Sequence, residues 1–249
     1  MKLDRKMKTD NFETKTIIFP VFRLKSKEEK NEIPSSIDSE TLEQFGRHYI
    51  GNGFFISNDG ILATVAHVLK QGKEYSNYAL IDDAFYKINT LCKKENEKTD
   101  ENHIDVAVGK INTINCPFYE TMSVVKNSNL KWKGYSRNLP RDKNKNQFVF
   151  TDKYNNDFYE IEAKCIDLKY EYYSLDPYNE SIFMDNFFTI SYLPLFGGMH
   201  GLSGSPVLDD ENYVVGIFKG GTGSGKDSKG QVMYIEIITN VLLELKNEI

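Results

Sequence analysis

The sequence predicts an all-β protein: two antiparallel barrels side by side, followed by one amphipathic helix. Three observations predict it. Strand-like runs separated by turn residues recur along the chain, and helical periodicity is scarce before the last dozen residues. Aromatic residues make up 13% of the chain, which favours a well-filled core with many strands. The 249 residues suffice for one large domain or two small ones sharing a core, and the strand runs divide into two series of similar number.

Taken in order, residues 1–12 read as an N-terminal tail, 13–127 as the first barrel and 128–249 as the second barrel with its helix. "TIIFPVFRL" (16–24) is apolar and β-rich, with Pro20 marking an edge or bulge. A charged loop follows. In "YIGNGFFISNDGILATVAHVL" (49–69), Asn58-Asp59-Gly60 reads as the turn of a hairpin between "GFFIS" and "ILATVAH". "NYALIDDAFYKINTL" supplies one or two strands, the adjacent Asp82 and Asp83 marking a turn. "IDVAVGKI" (104–111) alternates as a strand should.

Residues 112–130 read as a boundary. The second series runs through "KWKGYS", "QFVFTD", "YEIEAKCIDL", "FFTISYL", "SPVLDD" and "YVVGIFKGG", with "QVMYIEII" as the last strand. The tyrosine-rich "KYEYYSLDPYNESIF" reads as strands plus a loop, or as a lid over a cleft. "TNVLLELKNEI" begins with a cap at Thr239 and carries Val241, Leu242 and Leu245 on one helical face.

Composition narrows the function. With 40% hydrophobic and 27% charged residues the chain reads as a soluble globular protein. A net charge of −5 argues against nucleic acid as a partner. No apolar run reaches membrane length, so no membrane partner is expected, and the N-terminus lacks the apolar run of a signal peptide. Cys92, Cys116 and Cys165 are widely spaced and odd in number, which suits neither a disulfide framework nor a metal site. The expectation is a cytoplasmic protein without metal or cofactor.

The stretch "GLSGSPVLDD" (201–210) carries the chemistry. A serine between glycines is either a tight turn or an exposed nucleophile, and a nucleophile needs a base and an orienting acid. Four histidines are present. His67 ends a β-branched strand behind Ala63, Thr64 and Ala66; the bland alternative is a core histidine. His48 and His103 lie in polar segments and read as surface residues. His200 lies three residues before Ser203. Asp105 opens an apolar strand, where a buried carboxylate needs a partner such as a histidine N–H; the alternative is a turn cap. A metal hydrolase using His103 and Asp105 lacks a second ligand cluster.

His67, Asp105 and Ser203 follow the chain order of the trypsin-like serine proteases. "ATVAHV" resembles that family's strand leading to the histidine, "DVAV" its aspartate strand and "GLSGSP" its serine loop. "KGYS" and "VVGIFKGG" resemble segments of its second barrel. Glutamyl endopeptidases and high-temperature-requirement proteases are the branch it looks most similar to. The resemblance implies two six-stranded antiparallel barrels. It also implies a His67–Asp105–Ser203 triad acting on a protein or peptide, and an oxyanion hole from the Gly201 and Ser203 N–H groups. It places the substrate walls at Gly197, Gly198, His200, Phe218, Lys219 and Gly220. Gly197 stands where trypsin has its pocket aspartate, Phe218 where glutamyl endopeptidases have histidine, and Lys219 where tryptophan is usual. Preference for a small or apolar residue is therefore the expectation. Leu202 lacks the carboxylate used in zymogen activation, which suggests narrow specificity or an activating protein partner. A catalytically silent binding module with the same barrels is the competing reading.

Overall fold

Period-two strands in the first half of the chain close on themselves. The computed structural model describes residues 16–25, 49–69, 75–82, 84–96, 103–112, 115–135, 158–173, 181–192, 201–222 and 228–247. Strands β1 (Ile18–Lys25), β2 (Tyr49–Phe55), β3 (Ile61–Thr64), β4 (Tyr75–Ile81), β5 (Ala84–Glu95) and β6 (Asp105–Lys110) pair in the order β1-β2-β3-β6-β5-β4. The barrel closes where β1 meets β4. Pro20 sits opposite Asn52 of β2, one residue before pairing with β4 begins at Val21, and a bulge follows at Val21/Phe22. A residue without an N–H fits where β1 is paired on one side only. Gly60 takes the left-handed φ of 86° in the β2–β3 turn, and Lys110 Nζ reaches Asp59 at 3.1 Å beside it.

The second half repeats the architecture. Strands β7 (Asn129–Tyr135), β8 (Phe158–Asp167), β11 (Phe187–Tyr192), β12 (Pro206–Leu208), β13 (Val214–Thr222) and β14 (Lys229–Tyr234) close in the order β11-β14-β13-β12-β7-β8. Within the tyrosine-rich segment, β9 (Tyr170–Tyr173) and β10 (Ser181–Met184) form a separate two-stranded hairpin. The anticipated strand "QFVFTD" lies outside the described residues. The fold is thus two closed six-stranded antiparallel barrels with a C-terminal helix, as the sequence predicts.

The boundary between last strand and helix differs from the expectation. Helix α1 spans Ile235–Asn247, so "IEII" is helical and the start is not at Thr239. The isoleucines read as strand by propensity. Ile235, Ile238 and Val241 recur at a three-residue spacing and are buried together, so packing overrides that preference.

One core cluster joins the barrels: Phe19, Val21 and Phe54 from the first, Ile217 and Met233 from the second, and Ile235, Ile238 and Val241 from the helix. A second cluster fills the second barrel around Trp132, Phe188 and Phe218. The three cysteines are free thiols. Among the described residues, no helix is long and apolar enough to cross a membrane.

Candidate active site

The site lies where the barrels meet, and its parts come from strand ends. His67 sits in the turn after β3, where the Val68 N–H donates to the Val65 carbonyl at 3.1 Å. The Arg23 guanidinium, from β1, donates to the carbonyls of His67 (2.6 Å) and Val68 (2.9 Å), which anchors that turn to the barrel. The His67 side chain is 39% exposed.

Asp105, the first residue of β6, is buried and grips His67 twice. Its Oδ1 accepts the His67 main-chain N–H at 3.1 Å, and its Oδ2 lies 2.8 Å from Nδ1. A carboxylate at that distance fixes the ring proton on Nδ1 and leaves Nε2 as the acceptor. Burial pushes the Asp105 carboxyl upward. The hydrogen bonds and charge of His67 and the Lys219 ammonium outweigh that and hold it below the usual carboxylate value.

Ser203 occupies a loop bent by two left-handed glycines, Gly201 (φ 88°) and Gly204 (φ 86°). The loop is held from the first barrel. The Asn52 N–H donates to the Ser203 carbonyl at 2.8 Å, and Asn52 Nδ2 donates to the Gly201 carbonyl at 3.0 Å. Tyr49 Oη donates to the same Gly201 oxygen at 2.5 Å. Asn52 Oδ1 accepts the Tyr135 N–H at 2.8 Å, tying β7 to the network. Ser203 Oγ donates to the Lys219 carbonyl at 2.9 Å. Leu202 is buried in the second core.

The residues expected at the substrate walls lie partly outside the described residues. Gly197, Gly198 and His200, like His48, lie outside the described residues. Phe218 is buried, its ring stacked on Trp132 with centroids 3.6 Å apart, so its side chain fills the core. Truncation to alanine should therefore cost about 3–5 kcal/mol of stability in chemical denaturation. A variant of unchanged stability but altered cleavage preference would contradict that placement. A Cβ on Gly220 would meet nothing within 4 Å.

The Lys219 side chain is only 10% exposed, and its Nζ lies 3.8 Å from Asp105 Oδ2. The β13–β14 register explains this. Phe218 faces Val232 and Gly220 faces Gln231, so Lys219 is the extra residue of a bulge, which re-aims a side chain. His103 is corrected: it is buried, not on the surface. Its ring stacks on Phe187, and its Nε2 is hydrogen-bonded to Lys219 Nζ. His103 lies two residues before Asp105, and period-two alternation was the signal for its inward position. Asn52 and Tyr49 were missed; a polar residue between two glycines in "GNG" was their trace.

Two closed six-stranded antiparallel barrels, the serine loop of one held to the other through Asn52 and Tyr49, form the double-barrel fold seen in trypsin-like and HtrA-type serine proteases. Among solved structures, the chain is similar to the Rv3671c protease of M. tuberculosis in its active form. The TM-score is 0.57 at 16% identity, covering 93% of this chain and 82% of that one. It is also similar to the serine endoprotease of Yersinia pestis, with TM-score 0.55 and 13% identity over 92% of this chain and 62% of that one. The HtrA-type protease AlgW, solved with a decapeptide, gives TM-score 0.53 and 13% identity over 80% and 52%. At such identities the likeness is one of fold. No family model and no curated protein matches the chain.

Proposed function

We propose that the protein is a serine endopeptidase working through an acyl-enzyme. The observation that carries this is the double grip of a buried Asp105 on His67, opposite a serine loop pinned to the same barrel. Ser203 Oγ attacks the scissile carbonyl and His67 Nε2 takes its proton. Asp105 holds the imidazole tautomer and stabilises the imidazolium. The N–H groups of Gly201 and Ser203 receive the oxyanion, each such donor being worth about 100- to 1000-fold in rate. His67 then protonates the leaving amine, and water repeats the sequence to release the acid.

The attack requires Ser203 Oγ to leave the Lys219 carbonyl and turn to His67. That bond favours a restrained enzyme, one of narrow selectivity or one activated by a protein partner; a cytoplasmic setting is part of the proposal. The main chain of Phe218–Gly220 would pair with an extended substrate as an added strand. With Phe218 in the core and Gly220 bare, a small or apolar residue before the scissile bond is the preference proposed. Robust cleavage of casein by the purified chain would contradict the restraint.

The same Ser203 bond favours the second reading, a silent binding module. Intact mass after incubation with a fluorophosphonate separates the two. The protease reading expects one adduct on the wild type and none on Ser203→Ala or His67→Ala. A folded wild type that takes no adduct, alone or in lysate of its native host, would leave the silent module.

A further inference from the structure

Beside the triad lies a buried cation that the mechanism above does not use. We infer that Lys219 is a positioning residue of the His67–Asp105 pair: its ammonium, anchored on His103, fixes the buried carboxylate that orients the imidazole. The inference rests on the protease reading for its consequence in catalysis, but the linkage itself is a property of the fold.

Four observations carry it. First, the bulge at Lys219 turns that side chain inward at the level of Ser203, whose hydroxyl the Lys219 carbonyl accepts. Second, the ammonium lies 3.8 Å from Oδ2, the oxygen that also holds His67 Nδ1 at 2.8 Å. One carboxylate oxygen is thus shared by an imidazole and an ammonium, while the other is taken by the His67 N–H. Third, His103 is set up as an acceptor. Its Nδ1 lies 3.0 Å from the Asn96 carbonyl, which can only accept, so the ring proton sits on Nδ1 and the Nε2 lone pair faces Lys219. Fourth, the ammonium lies 5.0 Å from the centre of the Phe187 ring, the ring on which His103 stacks. A lysine this buried needs such compensation, because burial alone would favour its neutral form.

Other charged groups among the described residues lie on the elements packed around this group. Glu95 faces Asp105 across the β5–β6 ladder and pairs with Lys93 at 2.9 Å. Arg23 is engaged with the His67 and Val68 carbonyls. The helix packed on β6 and β13 carries Glu236 in its first turn and Glu244, which pairs with Lys94.

The electrostatic consequence has a definite sign. A positive charge beside Asp105 opposes a second positive charge on His67. Removing it lets the carboxylate hold an imidazolium more tightly. Lys219→Met should therefore move the pH midpoint of the His67 ring resonances upward, the sign expected when a positive charge a few ångströms from the pair is removed. Lys219→Arg, which keeps the charge, should stay near wild type. At acid pH, where the imidazole is protonated, fluorophosphonate labelling of Lys219→Met should be about tenfold slower than that of the wild type, the order expected for a charge a few ångströms from the pair.

A Lys219→Met protein that titrates and labels as wild type would overturn the inference. If Lys219→Met gives no dispersed spectrum, Lys219→Gln takes its place: a raised midpoint supports the linkage, and a wild-type midpoint overturns it. A wild type that never labels, in which the His67 midpoint still moves with Lys219→Met, would keep the linkage and remove the protease reading.

Discussion

Asp105→Asn should leave a folded protein that hydrolyses peptide bonds and labels with fluorophosphonate about ten-thousand-fold more slowly. Asparagine is nearly the same shape, so it can replace the carboxylate in place. Its amide oxygen can still accept the His67 main-chain N–H that Oδ1 accepts at 3.1 Å. The amide nitrogen then faces Nδ1, where Oδ2 stood at 2.8 Å. Two donors cannot share that contact, so the ring proton must leave Nδ1 for Nε2. An imidazole protonated on Nε2 cannot take the serine proton. Lys219 adds to the effect, because its ammonium loses a carboxylate and gains an amide at 3.8 Å. The measurement is the second-order labelling rate beside the thermal unfolding midpoint of both proteins. A rate within tenfold of wild type, with an unchanged midpoint, would mean that Asp105 does not orient the base.

The parts of this molecule that local chemistry dictates were legible in the sequence. Period-two alternation in "IDVAVGKI" marks β6, and a carboxylate at the head of a buried strand demands a partner. Asn58-Asp59-Gly60 marks its turn because only a residue tolerant of positive φ suits it. What stayed hidden depends on register and on distant packing. The inward turn of Lys219 comes from a bulge, and nothing in "IFKGG" says which strand residue is extra. His103 is traceable only through its two-residue spacing from Asp105, and the partners that seat it, Phe187 and Lys219, arrive from the other barrel. Ile235 and Ile238 carry strand propensity into a helix because the join between barrels offers them a shared apolar seat. Asn52 is a polar residue in an apolar strand, and the loop it holds lies about 150 residues away in the chain.

Gly204→Ala should abolish labelling, by at least about a hundredfold, and lower the unfolding midpoint. Two costs combine. At φ 86° an alanine is strained by about 1–2 kcal/mol. Its Cβ would also stand 2.1 Å from the Asn52 carbonyl oxygen and 2.2 Å from Thr64 Oγ1. Neither atom can step aside cheaply. Asn52 belongs to β2, its carbonyl accepts the Thr64 hydroxyl at 2.6 Å, and both residues are buried. The serine loop must therefore withdraw from the first barrel. Withdrawal breaks the bonds from the Asn52 N–H to Ser203 and from Asn52 and Tyr49 to the Gly201 carbonyl. It also leaves buried polar groups unpaired, at about 1–3 kcal/mol each. Ser203 then moves relative to His67, and a displacement of about 1 Å in such a site costs roughly a hundredfold in rate. Gly220→Ala is the matched comparison for stability: its Cβ would meet nothing within 4 Å, so its midpoint should equal that of the wild type. Should Gly204→Ala melt and label as the wild type does, the serine loop is not held against the first barrel through Asn52, and the positioning argued for Ser203 fails with it.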